Sequence, residues 1–178
     1  RFFKLKNQRK LLSMAATRSP NKSKTMSLAG IVSMYPAITF VPGELFSWSA
    51  GNNTVYYPTD ASFDEQFIYS LLHEIGHAEL MHNNFTNDLS LVAIERDAWE
   101  KSKEIAQKLG TTIDDGHIEK CMDTYRDWLY ARSLCPYCHQ CGLQTSKTAY
   151  KCVFCDHEWK VSESRLCKVT RRSIKKNS

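Results

Sequence analysis

The chain has 178 residues, 42% of them hydrophobic and 24% charged, with 8 Phe, 8 Tyr and 4 Trp. That is enough apolar material for one compact domain with a small appendage, and it excludes a disordered chain. The net charge of +5 is unevenly spread: residues 1–43 hold eight Lys/Arg and no acid, residues 44–159 hold nine against 18 Asp/Glu, and residues 160–178 hold seven against Glu163 alone.

An acidic body with basic ends can lay its tails on nucleic acid or another anionic surface, or simply keep itself solvated. No stretch reaches the roughly 18 apolar residues of a membrane span. The longest candidate, residues 29–43, is broken by Ser33 and Pro36. The basic amino terminus lacks an apolar core ending in a small-residue cleavage site, which argues against a secretory signal. The first residue is Arg rather than Met, so the sequence is compatible with a fragment and leaves an upstream signal or anchor open.

Residues 1–28 read as a basic segment, with a short helix expected over 2–16 and a loop at Ser19-Pro20-Asn21. Residues 37–41, 45–50 and 54–57 have strand character, with turns at Pro42-Gly43 and Gly51-Asn52-Asn53. An antiparallel meander is expected. Ser62 with Glu65 three residues later is a capping-box signature, and Phe63, Phe67, Ile68, Leu71, Leu72 and Ile75 give the following helix an apolar face as far as about Asn83. Asn87 or Asp88 starts a second helix, which runs to Leu109 and is closed by Gly110. Asp114 or Asp115 starts a third, carrying Ile118, Met122, Tyr125 and Leu129 at helical spacing. The expected fold is α+β: a small antiparallel sheet on the first helix, two further helices, then a cysteine module. The expected divisions are a basic segment over 1–28, a main domain over 29–134, the module over 135–160 and a basic tail over 161–178.

The first helix carries His73-Glu74-Ile75-Gly76-His77. Two histidines four apart project from one helical face and can bind one Zn²⁺, with the intervening glutamate beside the open coordination position. Such a site hydrolyses bonds by metal-activated water, with Glu74 taking the proton as general base. The bland alternative is two surface histidines on a core helix. Gly76 costs about 1 kcal/mol relative to Ala inside a helix, so a close neighbour, the second helix or a strand, is expected against it.

A third ligand is required, and His82, Asp88, Glu95, Asp97 and Glu100 are candidates. His82 follows His73 by nine residues, about 900° of rotation, which puts it on the opposite face, and no glycine lies between it and His77 to turn it round. It reads as a helix-end residue or a group behind the ligands. Glu95 is the lone charge in a stripe of Leu91, Val92, Ala98, Trp99, Ser102, Ile105, Ala106 and Leu109, and a buried carboxylate needs a cation. Asp97, Glu100 and Glu104 fall on the opposite face. From His77 to Asn83 is roughly 9 Å of helix and from Asp88 to Glu95 roughly 10.5 Å, so a helical hairpin would put Glu95 level with His77.

With these residues the chain resembles the gluzincin metallopeptidases, and Glu95-Arg96-Asp97-Ala98-Trp99 resembles the Glu-x-x-Ala-Asn/Trp segment of the ImmA/IrrE-like peptidases. The resemblance covers about residues 37–109. It implies that His73, His77 and Glu95 bind zinc, that Glu74 is general base, and that the substrate is a protein or peptide. It also implies that an edge strand before the first helix, here Val55, Tyr56 and Tyr57, binds extended substrate by strand addition. The cysteine module is not a standard part of that family. Tyr56, Tyr57, His117, Tyr125 and Tyr130 are candidates for stabilising an oxyanion, and none is preferred.

Seven cysteines occur, at 121, 135, 138, 141, 152, 155 and 167. Two Cys-x-x-Cys pairs resemble a zinc ribbon, in which four thiolates hold one structural Zn²⁺ tetrahedrally. Cys152 and Cys155 form the second pair. For the first, Pro136 favours Cys135 with Cys138 and Gly142 favours Cys138 with Cys141; the former is preferred. A redox pair at Cys135-Pro136-Tyr137-Cys138 is the rival reading. Cys121 is expected to be buried in the third helix, and Cys167 has no assigned role. Thiols used for metal point to a reducing compartment such as the cytoplasm. The leading expectation is a zinc metallopeptidase with one catalytic and one structural zinc. The alternative is a nucleic-acid-binding or regulatory zinc-ribbon protein with a subsidiary peptidase-like core.

Overall fold

The computed structural model describes residues 27–165 and 167–174. The expected helix over 2–16 and the loop after it lie outside them. Four helices and two small sheets follow one another: α1 (Leu28–Ser33), β1 (Thr39–Gly43), β2 (Ser47–Ser49), β3 (Thr54–Pro58), α2 (Glu65–Glu79), α3 (Asp88–Lys108), α4 (Asp115–Ser133), β4 (Gly142–Ser146), β5 (Ala149–Cys152), β6 (Glu158–Val161) and β7 (Arg171–Ser173). The class is α+β, as expected. No helix among the described residues is long and apolar enough to cross a membrane.

The first sheet is not a meander. Its order is β1-β3-β2, with β1 parallel to β3 and β2 antiparallel to it. A hairpin joins β2 to β3 through Asn53, held at φ 50 in the left-handed region that asparagine tolerates. Pro42 and Gly43, expected as a turn, belong to β1 opposite Tyr57 and Pro58. Between β1 and β2, Phe46 is buried with its ring 5.0 Å from Phe67 of α2, which carries the chain across to the far side of β3. Val55 and Tyr56 therefore sit in the central strand paired along both edges, and Tyr57 is paired with Pro42 of β1. The expected edge-strand role for β3 is thereby corrected: at Val55 and Tyr56 both sides already have strand neighbours, which leaves no edge there for a substrate strand to join.

Helix α2 starts later and stops earlier than its sequence pattern indicated. Asp64 rather than Ser62 is the N-cap: its Oδ1 accepts the Phe67 N–H at 2.9 Å, while the Ser62 hydroxyl donates to Oδ2 at 2.8 Å. The helix ends at Glu79, because Met81 at φ 51 leaves the helical region. Ten of its 15 residues are buried, Phe67, Leu71, Leu72 and Ile75 among them, and it packs on β2 and β3. Asn87 caps α3, its Oδ1 accepting the Ser90 N–H at 2.8 Å. Gly110 follows that helix at φ 74, the left-handed position expected of it.

The chain divides into two compact units, one of residues up to Asn83 with Asp97–Asp114, the other of Asn84–Arg96 with Asp115 and the residues after it. The division runs through the uninterrupted helix α3, and α4 belongs with the cysteine sheet rather than ahead of a boundary at Leu134. The expected tail also contributes β7, fourth strand of the order β4-β5-β6-β7.

The second unit owes its connectivity to a buried ion pair. Arg132 of α4 donates through Nε and Nη2 to the Asp88 carboxylate, and both side chains are 2% exposed. The same guanidinium donates to the carbonyls of Ser162 and Lys147. Asp88 also accepts from the Tyr150 hydroxyl and from the Gln144 amide, and Tyr150 is held in its neutral form by burial and by that carboxylate. Trp159 donates its indole N–H to the Arg132 carbonyl at 3.0 Å. One charge pair thus gathers α3, α4, β4, β5 and the β4–β5 and β6–β7 connections. Removing Arg132 would strand the Asp88 charge in the interior, which costs about 3–5 kcal/mol. Arg132→Met is expected to lose that much in chemical denaturation, and a loss under about 1 kcal/mol would mean the pair is dispensable.

Candidate metal centres

The first candidate centre begins with the helical phase of α2. His73, Glu74 and His77 are 4%, 4% and 8% exposed, so the histidines are not surface residues. Their rings meet edge to face with centroids 4.6 Å apart, and the two Nε2 atoms face each other at 3.1 Å. Two imidazoles on one tetrahedral zinc, each at 2.0–2.1 Å, would hold their nitrogens about 3.3 Å apart. Trp99 of α3 lies against the His73 ring at 4.2 Å between centroids and limits its rotation.

Gly76 is what lets α3 come this close. A Cβ built on it would stand 2.5 Å from the carbonyl oxygen of Ala98, so the expected neighbour is the second helix. One turn before Ala98 on the same helix comes Glu95, 8% exposed in the stripe that buries Leu91, Ala98, Trp99, Ser102, Ile105 and Ala106. Donor atoms of His73, His77 and Glu95 all lie within 4.8 Å of one another. Two neutral imidazoles and a carboxylate form a donor set that zinc accepts, leaving a fourth position for water or substrate. Asp97 and Glu100 are exposed on the outer face, and Asp88 is committed to Arg132.

His82 is not among these donors, yet it is close. Its Nδ1 stands 2.9 Å from Nδ1 of His77, the nitrogen that faces away from His73. The Trp48 indole of β2 donates to the His82 carbonyl at 2.8 Å. Nearer the Glu95 side, Cys121, expected to be buried, is only half-buried, with its Sγ 3.6 Å from His117 Nε2; burial first and the charge of Glu95 second push its thiol up to about 11. Of the candidate oxyanion residues, Tyr125 is buried beneath the Arg165 guanidinium at 3.3 Å, and Tyr130 is 57% exposed.

The second centre is built from two equivalent turns. Cys135 N–H donates to the Gln140 carbonyl at 2.9 Å and His139 N–H to the Cys135 carbonyl at 3.1 Å; the corresponding bonds from Cys152 and Asp156 measure 2.8 and 3.2 Å. The residue after each second cysteine, His139 at φ 60 and Asp156 at φ 58, takes the left-handed conformation that closes the turn. Cys135, Cys138, Cys152 and Cys155 converge with sulfur separations of 3.8, 3.4 and 3.4 Å. Four thiolates around one zinc at 2.3 Å would be about 3.8 Å apart, whereas a disulfide needs about 2.05 Å.

Cys141 is exposed and outside the cluster, so the first pair is Cys135 with Cys138. Gly142 has a different reason to be glycine: a Cβ there would lie 2.4 Å from the Trp159 ring and 2.6 Å from the Lys151 carbonyl oxygen. Burial opposes ionisation of Cys152, but the N–H groups of Cys155 and Phe154 and the neighbouring thiols outweigh it and bring the group down to about 7. Behind the cluster Cys135, Tyr150, Cys152, Trp159 and Val161 form a small core.

The close helix approach can be tested directly. Alanine at position 76 would gain about 1 kcal/mol of helix propensity but overlap a backbone oxygen that no side-chain rotation can move. Gly76→Ala is expected to lose about 1–3 kcal/mol net and to weaken metal binding at His73 and His77, read by thermal unfolding and metal titration. A melting temperature at or above that of the parent chain would refute the packing. Compared with known protein families, with curated proteins and with solved structures, the chain matches none.

Proposed function

We propose that this chain is a zinc metallopeptidase of the gluzincin type, similar to the ImmA/IrrE-like peptidases, with a structural zinc ribbon attached. The observation that carries the reading is the convergence of His73, His77 and Glu95 donors beside a buried Glu74 on the same turn of helix. His73, His77 and Glu95 would hold a zinc ion, which when bound would supply Lewis acidity to a water molecule and a carbonyl oxygen. Glu74 takes a proton from the attacking water as its oxygen bonds to the peptide carbon, and returns it to the amine nitrogen as the C–N bond breaks. Trp99 against His73 and Ala98 against Gly76 keep the ligand-bearing helices from shifting during that transfer. The four-cysteine centre uses all four positions on its metal, so its part is to staple a sheet with little core of its own. The substrate is a protein or peptide, and a reducing compartment such as the cytoplasm suits the thiolates.

Glu74→Gln keeps the size of the side chain but removes its basicity. It is expected to retain about two zinc per chain and to lose peptide hydrolysis by about 10²- to 10⁴-fold. Glu95→Ala is expected to lose one zinc of the two, leaving the cysteine-bound ion in place. Full hydrolysis by Glu74→Gln with zinc bound would sink the mechanism.

A second reading, nucleic-acid binding by the ribbon and the basic ends, draws support from the outer face of its sheet. Lys160 and Arg172 face each other across β6 and β7 there, and Tyr137 and Phe154 are 75% and 73% exposed at the two cysteine turns. Exposed rings with cations are what single strands stack on. Binding to single-stranded DNA that falls steeply with salt and weakens in Tyr137→Ala would favour this reading, while no binding at 20 mM-scale (roughly 0.02 M) salt would remove it.

A further inference from the structure

We infer that His82 is a positioning residue for the His73/His77/Glu95 centre, acting through His77; the inference rests on the metal-site reading above. If α2 continued past Glu79, residue 82 would point away from the site. Instead the helix stops at Glu79 with Leu80 as its C-cap, and Met81 takes φ 51, a conformation that side chains other than Gly, Asn and Asp seldom adopt. Met81 is 69% exposed, so its own side chain gains little from being there. What the turn accomplishes is to bring the His82 N–H onto the His77 carbonyl at 3.0 Å and the His82 ring beside the His77 ring. The centroids are 5.0 Å apart at 67°, with Nδ1 facing Nδ1 at 2.9 Å. Trp48 fixes the same residue from the sheet through its bond to the His82 carbonyl.

The two nitrogens of His77 thus face different partners. Nε2 faces His73 within the donor cluster, and Nδ1 faces His82. A neutral imidazole has one N–H and one lone pair. To ligate through Nε2, His77 must carry its proton on Nδ1, and the His82 Nδ1 lone pair is placed to accept it. That bond selects the tautomer that can ligate and fixes the rotation of the ring, the task usually given to a carboxylate or backbone carbonyl behind a metal-bound histidine. His82 then carries its own proton on Nε2.

The test uses the full chain with its cysteine centre loaded with zinc, titrated with Co²⁺ and followed by the visible absorption of cobalt in the remaining site. His82→Ala should weaken cobalt binding about 10- to 100-fold while the cysteine-bound zinc stays in place. His82→Asn, whose Oδ1 can accept at about the place of Nδ1, should restore most of the loss. Long-range ¹H–¹⁵N spectra of the zinc-loaded chain should show the His77 proton on Nδ1. Unchanged affinity in His82→Ala, an Asn variant as weak as the Ala variant, or a His77 proton on Nε2 would each overturn the inference. Undiminished cobalt binding by His77→Ala would instead overturn the metal-site reading beneath it.

Discussion

Everything attributed to the first centre depends on how near α3 can come to α2, and that distance is set by an absent methyl group. With Gly76 under Ala98, the carbonyl oxygen occupies space that any other side chain would claim. Trp99 can then lie on His73, and Glu95, one turn earlier, comes within reach of both histidines. A helix separation about one methyl larger would leave the imidazoles paired and the carboxylate buried without its counter-charge, an arrangement the interior penalises by several kcal/mol. The helix thus accepts an unfavourable residue because the site requires the contact.

The second unit solves the opposite problem. Its sheet is too small to be held by apolar burial alone, and it relies on directional bonds. Arg132 uses its planar fork on Asp88 and two carbonyls, a geometry that lysine could not reproduce. The cysteine centre braces the far end of the same sheet. Neither device contains the chemistry proposed for the first centre, yet Asp88 is also the first residue of α3, the helix that bears Glu95.

Period and residue chemistry made much of this legible. The three longer helices, the Cys135/Cys138/Cys152/Cys155 set and the burial of Glu95 could be read from the sequence, whereas the short helix α1 was not. Helical phase was the sound part of that reasoning. Equal lengths on the two arms of the hairpin do not explain the position of Glu95, since α2 ends at Glu79 and not at Asn83. The sheet order was not legible, since Phe46 sends the chain across β3 through a long-range ring contact that leaves no local pattern. For the same reason helical phase put His82 on the opposite face, although a place behind the ligands was among its expected roles: without a glycine to mark it, nothing announces a left-handed turn at Met81. The role of Gly142 was misread because its neighbours, Trp159 and the Lys151 carbonyl, are brought up by strand pairing.

The division of the chain through α3 has a consequence for its synthesis. Asp88 leaves the ribosome 44 residues ahead of Arg132 and 62 ahead of Tyr150, the two groups that later enclose its charge. At about 5–20 residues per second, Asp88 is synthesised several seconds before the groups that enclose its charge. The charge of Asp88 can therefore be fully enclosed only once Tyr150 of β5 has been made.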